Sequence, residues 1–293
     1  MVALADPISG IGHMLSHPFL RSAFVAGTGI ALAAGLVGYF VVLRGQVFTG
    51  DALSHVAFTG ALAALVLGFS LRAGLYGACI VFALVMAALG RRARADDAVV
   101  GSVFAWVVGL GALLLTVYTT SSSGVDATAG ISVLFGSILG LSSSAARTDA
   151  VVAVAVAAAI VVIARPLLFA TVDETVAAAQ GVGTRRVGVV FLVLVGITAG
   201  EASQAVGALL LLGLLAAPAG AAQLLTARPF RALALSAAIA LLSTWVGLCA
   251  SYAFPRVPPS FGILAAATGC YGLAAAWRAT RDRLPRRRIS QRA

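Results

Sequence analysis

The stretch SAFVAGTGIALAAGLVGYFVVL, residues 22–43, decides the fold because it runs for 22 residues without a charged side chain. An α-helix needs about 20 apolar residues to cross a bilayer. Further uncharged runs occupy 98–119, 205–227, 232–255 and 257–277. Charged residues make up only 10% of the 293-residue chain, whereas soluble domains carry about 25%. We therefore predict an all-α integral membrane protein, a polytopic bundle of about eight or nine spans.

Shorter apolar candidates complete this count at 52–71, 73–90, 150–164 and 187–200. The Gly- and Ser-rich segment 127–146 is either a span or a short helix that dips into the membrane. The run from 187 to 227 is too long for one span, which predicts a tight turn near Gly200–Gly207.

Three regions follow from this pattern. Residues 1–20 are weakly patterned and predict an interfacial or loose segment. Residues 21–279 form one transmembrane domain, and residues 280–293 form a basic tail.

The distribution of arginine predicts the orientation in the membrane. With nine spans, 16 arginines lie on the side of the carboxyl terminus. Only Arg21, Arg72, Arg147 and Arg256 lie on the opposite side. Because cytoplasmic loops carry the excess of positive charge, the carboxyl terminus is expected in the cytoplasm and the amino terminus outside. The net charge of +10 is thereby explained without nucleic acid, although the tail could also contact anionic lipid.

The chain contains no lysine. A phosphate-binding P-loop requires a lysine that reaches the phosphates. The chain therefore cannot hydrolyse ATP by that route, and any ATP-driven step would need a second protein.

The second apolar run begins with Gly50-Asp51-Ala52-Leu53-Ser54-His55. Asp51 and His55 are four residues apart, so a helix places them on one face. Ionisable groups inside a membrane span mark functional sites by default, and both groups are good ligands for a divalent metal. Two structural alternatives stay open: Asp51 could be a helix N-cap, and His55 could be a hydrogen-bonded packing residue. Ser54 is expected to bond to the backbone.

A second candidate lies in the longest internal polar segment, around 169–181. Thr171 and Glu174 have the spacing of a capping box, and acidic Asp173 and Glu174 suit a helix N-terminus. Gly181 or Gly183 is a natural stop. This pattern predicts a short helix, either a surface element or a docking element for a cytoplasmic partner.

Other single residues have less specific interpretations. Pro218 interrupts an Ala- and Gly-rich span, which indicates either close helix packing or a gate in a transport pathway. Glu201 is expected to be a surface residue in an external turn. His13 and His17 are external and four apart, a spacing that permits weak metal binding.

These motifs together resemble the membrane permease subunit of bacterial ABC importers for zinc, manganese and iron, the type II importer architecture. The segments that carry the resemblance span about residues 19–277: Gly50–His55 with Gly60, Asp173–Gly181, Val206–Leu210, Leu214–Ala222, and Ser251-Tyr252 with Pro259–Gly262. In that family a Leu-Pro-Gly usually follows the histidine. Here the matching residues are Phe58-Thr59-Gly60, and the missing proline predicts a straighter helix.

The resemblance implies a homodimeric permease whose pathway lies at the dimer axis and is lined by Asp51 and His55. It also implies that residues 173–181 form a coupling helix, with Asp173, Glu174, Ala177 and Gly181 as its family-like positions. The expected partners are a cytoplasmic ATP-binding subunit, an external solute-binding protein and a second copy of the chain. The metal ion would be transported cargo and not a permanent cofactor, and the location would be the bacterial plasma membrane.

Three other functions compete with this one. A permease of the same architecture could carry a metal chelate, such as a siderophore or cobalamin, but it need not present bare metal ligands. An intramembrane aspartyl protease would need glycine at Phe48 and a second intramembrane aspartate, and none is expected. A purely structural membrane subunit would leave Asp51 and His55 unexplained.

Overall fold

A computed structural model describes residues 17–89, 97–121, 136–208 and 211–283. Within these ranges the chain is helical throughout, and no strand is present. The α-helices are α1 (Pro18–Leu43), α2 (Val47–Val66), α3 (Leu71–Leu89), α4 (Asp97–Ser121), α5 (Ser143–Val172), α6 (Glu174–Ala179), α7 (Thr184–Ala205), α8 (Leu211–Leu225), α9 (Pro229–Ala253) and α10 (Pro259–Arg283). A short 3₁₀ turn covers Ile138–Gly140.

The predicted membrane architecture is confirmed. Among the described residues, eight helices are long and apolar enough to cross a bilayer. The ninth apolar helix, α8, is shorter at 15 residues, and the predicted orientation counts it as the ninth crossing. The first helix begins at Pro18, inside the segment predicted to be loose, because proline suits the first turn of a helix. Residues 1–16, with His13, and residues 284–293 of the tail lie outside the described residues.

Helix α1 lies at the centre of the bundle because small residues let its neighbours approach closely. A Cβ added at Gly35 would come within 2.6 Å of the Ala237 Cα on α9. A Cβ at Gly29 would come within 3.2 Å of the Ala150 Cα on α5. Interfaces built on small residues are the usual way in which helices associate inside a membrane.

Helices α2, α3 and α4 form one side of the bundle. A Cβ at Gly60 of α2 would come within 2.5 Å of the Gly74 carbonyl oxygen on α3, so these helices cross at glycine. Helix α4 packs mainly against α2, and most of its other side is exposed, including Trp106. Helix α2 continues without a break through Thr59, as expected from the missing proline.

The turn predicted near Gly200–Gly207 falls at the end of that range. Helix α7 continues to Ala205, and Gly207 then adopts a positive φ of 96°. The backbone N–H of Ser137 donates to the Gln204 carbonyl at 2.9 Å, which ties the 3₁₀ turn to the end of α7. The first part of the predicted membrane-dipping segment, residues 127–135, lies outside the described residues.

Candidate functional site

Asp51 and His55 lie on the one accessible strip of an otherwise buried part of α2. Ala52, Leu53 and Ser54 between them are buried, whereas Asp51 and His55 are partly accessible. Phe48, one turn earlier, is exposed and extends the same strip. The structure therefore brings the two predicted ligands onto one face, as the i, i+4 spacing requires.

Helix α4 supplies an aromatic wall beside this strip. The Phe104 ring meets the His55 ring edge-on, with ring centroids 5.1 Å apart. The same ring lies 5.6 Å from the Phe48 ring. Edge-to-face contacts of this kind restrict ring orientation, so Phe104 orients the imidazole without using either of its nitrogens.

The N-cap alternative for Asp51 is wrong, whereas the packing alternative for His55 stays open beside its Phe104 contact. Gln46 occupies the N-cap position of α2, so Asp51 lies in the body of the helix and is not its cap. Among the described residues the Asp51 carboxylate accepts no hydrogen bond, and the His55 ring makes none. The Ser54 hydroxyl donates to the Asp51 carbonyl at 2.6 Å, which confirms its backbone-bonding role.

One copy of the chain does not provide a complete metal site. Within the described ranges no group of three or more His, Cys, Asp or Glu side chains could hold a metal ion. Protein zinc sites use three or four protein ligands, and manganese prefers a larger oxygen-rich set. To hold a metal ion, Asp51 and His55 would need further ligands from water or from another molecule.

A second polar region lies buried between α3, α5 and α7, and sequence reasoning missed it. An Arg72 amino group donates to Asp149 Oδ2 at 3.2 Å and lies 3.1 Å from Oδ1. The Asp149 side chain is only 1% exposed. Asp149 is the single acidic residue of α5, and that was the available signal, since a lone acid in a membrane span marks a site.

The expectation that no second aspartate lies within a membrane span is wrong, because Asp149 lies in α5. It is engaged with Arg72 on α3, and it does not form a pair with Asp51 on α2. An aspartyl protease requires two carboxylates that share one site, so the correction does not revive that alternative.

Glu201 belongs to the same buried region, and its predicted surface position is wrong. It lies within α7 and is 1% exposed. It interacts electrostatically with Asp149 and Arg72. Among the described residues, neither of its carboxylate oxygens has a hydrogen-bond partner, nor does the hydroxyl of nearby Tyr76. The turn predicted within Gly200–Gly207 begins only at Val206, so Glu201 lies in the helix and not in a loop.

The short helix predicted near 173–181 is present as α6, Glu174–Ala179. Its N-cap is Asp173, whose Oδ1 accepts from the Val176 N–H at 2.9 Å. The predicted capping box is wrong, because the Thr171 hydroxyl donates back to the Leu167 carbonyl of α5. Gly181 ends the element with a φ of 83°, a conformation that favours glycine.

The two sides of α6 differ in exposure. Ala177 is fully buried and supports the helix from the inside. Thr175, Val176 and Ala178 are exposed, and so is Val172 just before the helix. Exposed apolar side chains on a short polar connection are typical of a protein–protein contact.

Pro218 and His17 both lie against neighbouring parts of the bundle. Pro218 is buried inside α8. Close by, Leu215 contacts Gly38 of α1, where an added Cβ would meet its carbonyl oxygen, and this close packing suits the packing interpretation of the proline. His17 precedes α1, and its ring lies 5.5 Å from that of Phe19 and 6.4 Å from that of Tyr252.

The fold and the site define a class: a multi-pass helical membrane protein with an acid–imidazole strip on one span and a short polar helix between two others. The chain belongs to the ABC 3 transport family, whose model matches residues 16–278. Membership makes it a membrane-embedded transport subunit, as the motifs indicated.

Individual relatives show the same likeness along most of the chain. The manganese transport system membrane protein MntC of Halalkalibacterium halodurans is 28% identical over 256 residues, covering 87% of this chain and 86% of that protein. The chelated iron transport system membrane protein YfeC of Yersinia pestis is 28% identical over 244 residues, with 82% and 81% covered. PsaBC of Streptococcus pneumoniae, solved in complex with a Fab, has a similar fold, with a TM-score of 0.75, 24% identity, and 92% and 95% of the two chains covered.

Proposed function

We propose that the chain is the permease subunit of an ATP-driven importer that moves a divalent transition metal ion, manganese, zinc or iron, into a bacterial cell. The observation that carries this proposal is the accessible strip of Asp51 and His55 on an otherwise buried part of α2. A carboxylate and an imidazole without protein partners are suited to bind an ion and release it again, because a transport site must not hold its ion too tightly. The names of the relatives favour manganese within this group of metals.

A second copy of the chain would complete the site. The strip is open in the single chain, and only two ligand groups lie on it. Two copies related by a two-fold axis would offer two carboxylates and two imidazoles around one pathway, in keeping with the preference of oligomers for such symmetry. Water would fill the remaining coordination positions of the metal.

Energy and delivery would come from other proteins. The absence of lysine excludes a P-loop, so a separate ATP-binding subunit would dock on the exposed side of α6. The same arginine distribution that predicts the orientation places α6 and the carboxyl terminus in the cytoplasm. A solute-binding protein would deliver the metal from the opposite side of the plasma membrane. Pro218 remains a candidate gate.

Uptake of radioactive manganese tests the site. Asp51→Asn and His55→Ala are each expected to lower accumulation roughly tenfold or more, because even residues that support a metal ligand change affinity about 10- to 100-fold. Ser54→Ala is the matched control, since Ser54 lies between the two ligands but is buried and faces away. Unchanged uptake in both site variants under metal limitation would contradict the assignment.

The same cells distinguish free metal from a chelate as cargo. We expect loss of the chain to lower accumulation of free manganese and to leave uptake of ferric siderophore and of cobalamin unchanged. The opposite pattern would favour the chelate permease.

The coupling between ATP hydrolysis and transport is tested at Gly181, the glycine that ends α6. Gly181→Val places a β-branched residue at a φ of 83°, where such residues are strained. We expect ATP hydrolysis by the reconstituted complex to continue while transport falls severalfold. Gly183→Ala is the control, because Gly183 has an ordinary φ of −71°. Equal coupling in both variants would remove α6 from the mechanism.

A further inference from the structure

A cavity of about 540 Å³ opens between the amino-terminal ends of α1 and α5. Its polar lining comes from Arg21 and Ser22 on α1 and from Ser143 and Arg147 on α5. The hydroxyls of Ser22 and Ser143 lie 3.2 Å apart and join the two helices there. The cavity is distinct from the Asp51–His55 strip, which lies on α2.

Positive charge dominates this cavity. Arg21 and Arg147 are both exposed, and no carboxylate among the described residues pairs with either of them. The Arg147 Nε donates to the Ser143 carbonyl at 3.2 Å, which holds its guanidinium at the cavity. The nearest acid in sequence, Asp149, is turned inward and is neutralised by Arg72. Two arginines with serine hydroxyls between them are suited to bind a phosphate group.

An apolar groove of about 450 Å³ lies between the same two helices, deeper in the membrane. Its lining is entirely uncharged: Gly29, Leu32, Ala153, Val154, Ala157, Ala158, Val161 and Val162. Gly29 lies near its floor, where α1 and α5 are in close contact.

The cavity and the groove are aligned along the same two helices. On α1, Arg21, Val25, Gly29 and Leu32 follow one another at helical spacing and therefore share a face. On α5, Arg147, Val154 and Val161 are seven residues apart and also share a face. The rise from Arg21 to Leu32 is about 16 Å at 1.5 Å per residue. That length matches half of a hydrocarbon core about 30 Å thick, so one acyl chain can extend from the cavity to the end of the groove.

We propose that the cavity and groove bind one anionic phospholipid, with its phosphate between Arg21 and Arg147 and an acyl chain along α1 and α5. In the orientation given above, this lipid belongs to the outer leaflet. An acidic side chain of a soluble partner could use the two arginines, but it could not fill a groove at this depth. The lipid is therefore the occupant that explains both features, and it would bridge the amino-terminal ends of the two helices.

Native mass spectrometry of the delipidated full chain in detergent tests this site directly. We expect one 1-palmitoyl-2-oleoyl phosphatidylglycerol to bind per chain, roughly tenfold more tightly than phosphatidylcholine with the same acyl chains. Glycerol phosphate, which lacks acyl chains, should compete poorly. Equal binding of the two lipids would overturn the proposal, and so would competition by glycerol phosphate at the same concentration as the lipid.

Variants separate the two halves of the site. The double variant Arg21→Gln with Arg147→Gln should reduce the affinity for phosphatidylglycerol to that for phosphatidylcholine. Arg256→Gln, which changes another exposed arginine that the predicted orientation places on the same side, should bind like the wild type. Ala158→Trp should weaken the binding of both lipids because the indole would occupy the groove. A wild-type preference that survives the double variant, or full binding by Ala158→Trp, would contradict the assignment.

Discussion

Two polar regions lie in the same apolar bundle, and they differ in what surrounds their charges. Asp51 and His55 are partly accessible and have no polar partner among the described residues. Asp149 is buried and paired with Arg72, and Glu201 is buried beside them. Both regions are costly to place inside a membrane. Accessibility distinguishes them: the first region is partly exposed on the surface of the single chain, whereas the second is buried and connects three helices.

The largest effect is expected when the buried pair is broken. Arg72→Leu would leave the Asp149 carboxylate buried without a counter-charge, which should lower the free energy of unfolding by about 3 kcal/mol. We place this loss at the low end of the usual range because the Arg72 side chain is 30% exposed. Thermal unfolding of the purified chain in detergent measures it.

A double variant is the control for this experiment. Arg72→Leu combined with Asp149→Leu removes both charges and should recover most of the lost stability, as replaced ion pairs commonly do. If each single variant were as stable as the wild type, the buried region would have no role in holding α3 to α5.

Replacing Asp51 and His55 should affect transport and leave stability almost unchanged, in contrast to breaking the buried pair. The double variant Asp51→Asn with His55→Ala should unfold within about 0.5 kcal/mol of the wild type, as substitutions away from core features do. Its manganese uptake should nevertheless fall by roughly tenfold or more. A large loss of stability with uptake retained would reverse the roles of the two regions.

A smaller effect is expected at Thr59, which lies one turn beyond His55 and connects the wall of the strip to α2. Its hydroxyl donates to the Val107 carbonyl of α4 at 3.0 Å, and the bond is buried. Thr59→Val keeps the shape and removes the bond, so we expect a loss of about 1 kcal/mol. Thr116→Val on α4, whose exposed hydroxyl bonds within its own helix, should change less; an equal loss in both would argue against a special role for the α2–α4 contact.

The smallest effect is expected for Glu201→Gln. The buried Glu201 carboxylate makes no hydrogen bond of good geometry among the described residues and only approaches the Ala153 backbone, so a neutral amide of the same shape removes little. We expect the free energy of unfolding to change by no more than about 1 kcal/mol. A loss as large as that of Arg72→Leu would mean that Glu201 carries a charge on which the neighbouring ion pair depends.

Sequence reasoning succeeded where the pattern is local. Long uncharged runs and shorter apolar candidates together located the spans, and the four-residue spacing placed Asp51 and His55 on one face. The short helix α6 was also found, although Thr171 was taken for its cap in place of Asp173. Both residues can cap a helix, and only the backbone geometry decided between them.

Sequence reasoning failed where the partner is distant along the chain. Arg72 and Asp149 are 77 residues apart, so no spacing rule connects them. Glu201 was assigned to a turn because its Gly-rich surroundings suggested one, whereas α7 continues past it to Ala205. The Arg21–Arg147 cavity was invisible for the same reason, since its two arginines lie on helices that meet only in the fold.

The amino-acid sequence by itself determined that this is a membrane-spanning helical protein, that it belongs with metal transport permeases, and that Asp51 and His55 share a face. The spans and the shared face follow from hydropathy and helical periodicity, which act over a few turns of chain, whereas the family follows from the resemblance of its ordered motifs. Only the tertiary structure decided which charges are buried and which are accessible, because that depends on which helices cover each face.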